Sequence, residues 1–241
     1  VSERLPELDL DHWYLRLAMR AMALLYRYHR VRLEGRPYDG PCVYVALHGA
    51  GYFSMDLALG AYAVGWQGWW ERGEPHRPLR IVATRSQIER VIPGAQRIKE
   101  ICGLIDPAEE ACVAALEAGH QLFLTPGGHR ECQPSRDFYR LRWEDRLGFT
   151  RLAVRAGVPI VPVMIAGGAS AFPGFRLGRL SFWSPVPLPA RIAVSVGQPI
   201  QVERAPHLAR VAEHVRPIQQ RAWSEAQALL DRTVARLRSG E

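Results

Sequence analysis

His48 closes the apolar run Cys42–Leu47 and opens a His48-Gly49-Ala50-Gly51 turn. Imidazole is the side chain whose unperturbed protonation change falls near neutral pH. The ends of parallel strands are where α/β folds place their chemistry. A histidine near a helix N-terminus has its protonated form disfavoured, which leaves a neutral base. Asp56 stands eight positions on, and taken by itself the pair reads as structural or as catalytic. A second cluster lies in Leu122-Phe123-Leu124-Thr125-Pro126-Gly127-Gly128-His129-Arg130-Glu131, a strand pattern running into a turn rich in backbone N–H groups. Adjacent glycines let a backbone approach an anion closely, and arginine can grip a phosphate bidentately. Alone, Pro-Gly-Gly is a turn and nothing more.

These residues need a scaffold, and the chain supplies one by alternation. The spacing predicts strands over residues 31–34, 42–47, 79–83, 121–124, 160–165 and 192–196, short apolar runs bounded by turn residues. It predicts helices over residues 54–66, 95–102, 107–118, 146–156 and 217–238. Pro107 suits a first helical turn, and Gly119 and Gly157 suit helix ends. Strands alternating with helices give an α/β fold, a mixed and largely parallel sheet flanked by helices.

Residues 10–30 read as one amphipathic helix. At about 100° per residue Arg16, Arg20, Arg27 and Arg30 gather on one face, with Leu17, Ala18, Ala21, Met22, Leu24, Leu25 and Tyr28 roughly opposite. Such a helix packs on the core or lies in a headgroup layer with its arginines toward phosphates. Trp66, Trp69 and Trp70 carry the same two readings, core packing or membrane interface. The domain division expected is an N-terminal amphipathic helix over residues 1–30 and a single α/β domain over 31–241.

Composition narrows the classes. Hydrophobic residues are 48% and charged residues 23% of 241, the balance of a globular chain with a full core. Four scattered cysteines and eight scattered histidines form no zinc-ligand spacing, so no metal is expected. The net charge of +7 is almost all arginine, Lys99 being the single lysine. An anionic membrane or substrate suits this better than nucleic acid, for which no helix-turn-helix or RNP-like motif is present. Val1–Leu10 lacks the basic start of a signal peptide, and no run of 18 apolar residues exists. A cytoplasmic protein, peripheral (monotopic) on the inner face of the cell membrane, is expected.

Taken in order, His48 ahead of an aspartate, Pro126-Gly127-Gly128-x-Arg130 and Gly157-Val158-Pro159-Ile160-Val161-Pro162-Val163 resemble the successive motif blocks of the lysophospholipid/glycerolipid acyltransferase superfamily (PlsC-like). Ile92-Pro93-Gly94, Tyr139-x-x-x-Trp143 and Arg146-x-Gly148-Phe149 resemble its branch of diacylglycerol-forming acyltransferases and plant phytyl ester synthases. The likeness spans roughly Cys42 to Ile165. It implies transfer of a fatty acyl group from acyl-CoA or acyl carrier protein to a lipid hydroxyl, with neither metal nor other cofactor. The resemblance casts His48 as general base and Asp56 as the carboxylate that orients it. Substrate binding is expected from Pro126, Gly127, Gly128, Arg130 and Glu131, with Arg85 as a further phosphate ligand or, alternatively, a solvated arginine. The N–H groups at Gly127 and Gly128 serve an oxyanion or a phosphate. Two departures stand out. Seven residues separate His48 from Asp56 where the superfamily motif has four, and Gly127 occupies the position of the glutamate in the Pro-Glu-Gly-Thr-Arg block. The second tilts the expectation toward a neutral acceptor. A membrane- or lipid-binding module without catalysis and a lipid hydrolase are the alternatives; for the latter no G-x-S-x-G occurs.

Overall fold

The computed structural model describes residues 8–50, 54–83, 97, 100–135, 137–177, 180–184 and 186–240. Arg85, Ile92-Pro93-Gly94 and half of the helix expected over 95–102 lie outside the described residues. The strands are β1 (Arg32–Glu34), β2 (Val43–Ala46), β3 (Leu79–Val82), β4 (Leu104–Ile105), β5 (Gln121–Leu124), β6 (Ile160–Ala166), β7 (Gly174–Leu177), β8 (Leu180–Trp183) and β9 (Ala193–Val196). The helices are α1 (Trp13–Tyr28), α2 (Met55–Ala61), α3 (Gln67–Arg72), α4 (Glu109–Glu117), α5 (Gly148–Ala156), α6 (Gly168–Ala171) and α7 (Ala212–Ser239). One turn of π-helix, Tyr62–Trp66, joins α2 to α3.

Seven strands form one sheet in the order β1-β9-β6-β2-β5-β3-β4, and β7 pairs with β8 apart from it. From β4 to β6 every pairing is parallel; β9 runs antiparallel to β6, and β1 follows β9. The mixed, largely parallel sheet expected from the alternation is thus the fold. Its centre reads as near-continuous apolar sequence because both faces are covered: all of β2 and all of β6 are buried. Ile165 fills the space left by the missing side chain of Gly60 in α2, while Pro162 and Leu229 of α7 both border the space beside Gly197. Positions three apart on a strand face opposite ways, so α2 and α7 cover opposite faces. In α7 the buried set Val215, Gln219, Ala222, Ala226 and Leu230 recurs at helical spacing.

α1 packs through Leu15, Met19, Ala23 and Tyr26 into the same hydrophobic cluster as the sheet. Of the arc that the helical wheel marks as apolar, Ala18, Met22 and Leu25 pack half-buried beside them, whereas Leu17, Leu24 and Tyr28 are exposed, as is Trp13. Trp66 is buried, and Trp69 and Trp70 pack half-buried against the core around His76, which favours packing over interface for that cluster. The β7–β8 hairpin, the two-residue β4 and the short α6 have no counterpart in the sequence reading. Among the described residues no helix is long and apolar enough to cross a membrane.

Candidate functional site

β2, β5 and β6 deliver their C-terminal ends to one edge of the sheet, and three turns meet there. His48, half-buried, lies just beyond β2. Its backbone N–H donates to Oε2 of Glu131 at 3.0 Å. Its Nδ1 lies 3.3 Å from the hydroxyl of Ser54. Ser54 precedes α2 with φ 44° and ψ 50°, a left-handed conformation that a non-glycine residue adopts only under local constraint.

Asp56 is buried in the first turn of α2. Its Oδ2 accepts the Ala50 N–H at 3.0 Å and its Oδ1 accepts its neighbour Leu57's at 2.9 Å. The chain has therefore doubled back by position 50, which brings Asp56 against the His48 turn despite the seven-residue spacer. The carboxylate is wedged between Gly49 and Gly168, where a Cβ on either glycine would overlap its oxygens. Burial pushes its pKa up to about 6, opposed by the N–H groups of Ala50 and Leu57. Gly167 donates its N–H to the hydroxyl of Tyr139 at 2.9 Å. Tyr139 thus holds the turn that seats Asp56.

Glu131 is equally buried. Besides the His48 N–H it accepts the Arg142 N–H on Oε1 at 2.7 Å. Burial raises its pKa to about 7, against the lowering effect of those two N–H groups. Its carboxyl lies in the space a side chain at Gly127 would occupy. The glutamate absent from position 127 and the glutamate present at 131 thus claim the same volume. Gly128 and Arg130 form a short 3-10 turn, and the Arg130 side chain is exposed.

Pro126 lines a cavity of about 300 Å³ with Arg146, Gly148, Phe149 and Arg151, so the Pro-Gly-Gly block and the Arg-x-Gly-Phe block share a wall. Among the described residues no group of three His, Cys, Asp or Glu could hold a metal ion. The structure brings His48, Asp56, Gly127 and Glu131 together; Arg130 is on the rim, and Arg85 lies outside the described residues. Ser54 and Tyr139 are added. The Tyr139-x-x-x-Trp143 pattern is the signal that pointed to Tyr139, whereas a left-handed serine beside an imidazole leaves no mark in the sequence. Chemically, the site presents an imidazole with a fixed backbone over two buried carboxyl groups of raised pKa.

No family model matches the chain. It is 30% identical over 65% of its length to a bovine (Bos taurus) protein described as a DGAT1/2-independent enzyme synthesizing storage lipids, covering 45% of that protein. A human (Homo sapiens) protein of the same description is 28% identical over 87% of the chain, which covers 63% of it. The chain therefore spans about half to three-fifths of these relatives' length. Among solved structures it is similar to the 1-acyl-sn-glycerophosphate acyltransferase PlsC of Thermotoga maritima, with TM-score 0.52 and 19% identity over 89% of this chain and 80% of that one. That likeness is one of fold. The fold agrees with the resemblance to glycerolipid acyltransferases carried by the ordered motifs, and the relatives in sequence are described as lipid-synthesizing enzymes.

Proposed function

We propose that this chain moves a fatty acyl group from an acyl thioester to a lipid hydroxyl, with His48 as general base. The observation that carries the reading is the placement of His48, at the open end of the parallel strands, with its backbone N–H bonded to the buried Glu131. In the tautomer that carries its proton on Nδ1, facing the Ser54 hydroxyl, Nε2 is the nitrogen that accepts. The acceptor oxygen attacks the thioester carbonyl as its proton passes to Nε2; the tetrahedral intermediate then expels the thiolate, which takes the proton from the imidazolium. Asp56 contributes by holding the turn that carries His48. N–H groups of the Gly127–Gly128 turn are candidates for the oxyanion, and Arg130 on the rim for an anionic part of either substrate. The chemistry calls for no metal or bound cofactor.

The acceptor in this proposal is a neutral glycerolipid or a long-chain alcohol before a lysophospholipid. Gly127 supports that order, since the glycerophosphate-associated glutamate is missing, and so does the storage-lipid description of the bovine and human relatives. Acyl-CoA and acyl carrier protein are the two donors to try. The setting proposed is a cytoplasmic membrane face, met by the exposed arc of α1.

The test is labelled long-chain acyl-CoA, and then acyl carrier protein, offered with monoacylglycerol, diacylglycerol, a long-chain alcohol and lysophosphatidic acid. Transfer should occur and should fall by about 10²–10⁴-fold in His48→Ala, the range that general-base catalysis contributes. Equal transfer by His48→Ala would refute the assignment, and no transfer from either donor would favour a non-catalytic lipid-binding module.

A further inference from the structure

Between β6 and β9 the chain leaves the sheet and forms the β7–β8 hairpin, whose two faces differ. Phe175 pairs with Phe182 and Leu177 with Leu180. Residues two apart on a strand share a face, so all four side chains project to one side. They are exposed at 64%, 38%, 68% and 62% respectively, and the two phenylalanine rings stack at 5.0 Å. On the other side Trp183 is buried, edge-on to Phe138, with its indole N–H donating to the carbonyl of Cys132. The hairpin is thus rooted on the residue following Glu131, and turns its apolar face away from the protein. A two-stranded ribbon has little stability of its own in water. Contiguous apolar exposure of this kind marks a surface that meets something else.

The surface continues from there. Ser184 and Leu188 donate their N–H groups to the carbonyls of Pro173 and Ala171, which sets both beside the root of the hairpin. Val186 and Leu188 are exposed there, and the hydroxyl of Tyr28, at the end of α1, donates to the carbonyl of Pro187 at 3.1 Å. From Tyr28 the arc runs back along α1 through Leu24 and Leu17 to Trp13. Arginines 20, 27 and 30 flank that arc and are exposed. Charge is one-sided throughout: no Asp or Glu occurs from Trp13 to Leu33, nor from Arg146 to Val202.

We infer that the β7–β8 hairpin and the exposed arc of α1 form one docking surface for an anionic lipid bilayer, with Phe175, Leu177, Leu180 and Phe182 entering the acyl region. The inference rests on the membrane setting proposed above, and adds the hairpin as the inserting element. A bilayer fits because large apolar side chains are combined with flanking arginines on two segments that hold no Asp or Glu, Asp11 lying just ahead of α1 in a pair with Arg16, the chemistry of an interfacial segment. The root on Cys132 places the bilayer surface beside the His48 site.

The experiment is co-sedimentation of the purified chain with phosphatidylcholine vesicles, with and without phosphatidylglycerol. The variants are Phe175→Ser/Leu180→Ser, the complementary Leu177→Ser/Phe182→Ser, and Val211→Ser as an exposed apolar control remote in sequence from the patch. Wild type and control should bind the anionic vesicles, and each hairpin pair should weaken binding at least tenfold with an unchanged melting temperature. Hairpin variants that bind as wild type does would overturn the inserting role and leave α1 as the contact. Wild type that binds no vesicle would overturn the membrane setting itself. A lipid-free dimer that both hairpin pairs convert to monomer would overturn the bilayer in favour of a second copy.

Discussion

The turn after β2 and the turn after β5 are built alike and do different work. Each is rich in glycine, and each closes on a buried carboxyl group of raised pKa, Asp56 in one and Glu131 in the other. Asp56 serves its own segment, accepting N–H groups from Ala50 and Leu57. Glu131 reaches across the sheet edge, accepting one N–H from His48 and one from Arg142. The first therefore shapes a loop, whereas the second fixes that loop's position relative to a neighbouring strand. Setting an imidazole over a substrate needs both, because a well-formed turn in the wrong place is as unproductive as a distorted one.

The largest effect that would break this pairing is expected from Gly127→Glu, which restores the glutamate of the related motif. The new side chain must displace Glu131 and strand the N–H groups of His48 and Arg142. Overpacking and unsatisfied donors together should cost on the order of 3 kcal/mol, read from urea unfolding, and Gly127→Glu/Glu131→Ala should recover part of it. Gly168→Ala attacks the other turn, and overlap with Asp56 should cost about 1–3 kcal/mol. Glu131→Gln comes next, at about 1–2 kcal/mol, because an amide accepts one of the two N–H groups and opposes the other with its own donor.

A pH series sharpens the comparison. Asp56 and Glu131 hold protons in the folded chain up to about pH 6 and 7, above their ordinary values of 3.8 and 4.5. The stabilisation from this source is therefore complete below about pH 4 and is lost as the pH rises through 6 and 7. Unfolding measured from pH 5 to pH 8 should show that decline, and Glu131→Gln should flatten it above about pH 6 and make it shallower below, where Asp56 alone still contributes. The smallest effect is expected from Ser54→Ala, a loss of a few-fold in acyl transfer with Glu131 and Asp56 undisturbed. A loss as large as that of His48→Ala would instead give Ser54 a nucleophile's part and revive the hydrolase reading.

The parallel core of the sheet was legible because its strands are short apolar runs cut off by turn residues, and β5 matches its expected span at both ends. Legibility failed where apolar sequence does not face inward. On α1 the packed face is Leu15, Met19, Ala23 and Tyr26, bordered by the half-buried Ala18, Met22 and Leu25, while Leu17, Leu24 and Tyr28 look outward. In the hairpin, alternation says which residues share a face but not that the face looks outward. At the site, His48 and the glycine turns were visible as residue types, and their neighbourhood followed from the motif order. The part played by Glu131 was not visible, since it depends on an N–H 83 positions away. Nor did composition hint that Gly127 is small because Glu131 lies beside it.

The reversal of direction between β6 and β9 has an evolutionary reading. Ala166 and Ala193 are paired neighbours, so whatever lies between them departs from the sheet and returns to almost the same point. A parallel connection would have to cross the whole layer and could not change length freely. Here the stretch inside the closure of Ala171 by Leu188 resembles a cartridge in a fixed socket. Lengthening, shortening or exchanging it leaves the strand register, the Gly167–Gly168 turn and the seat of Asp56 in place. A lineage, or an engineer grafting a foreign loop at those two residues while keeping Trp183 on the Cys132 carbonyl, could thereby retarget the protein to a different surface with the same reaction centre.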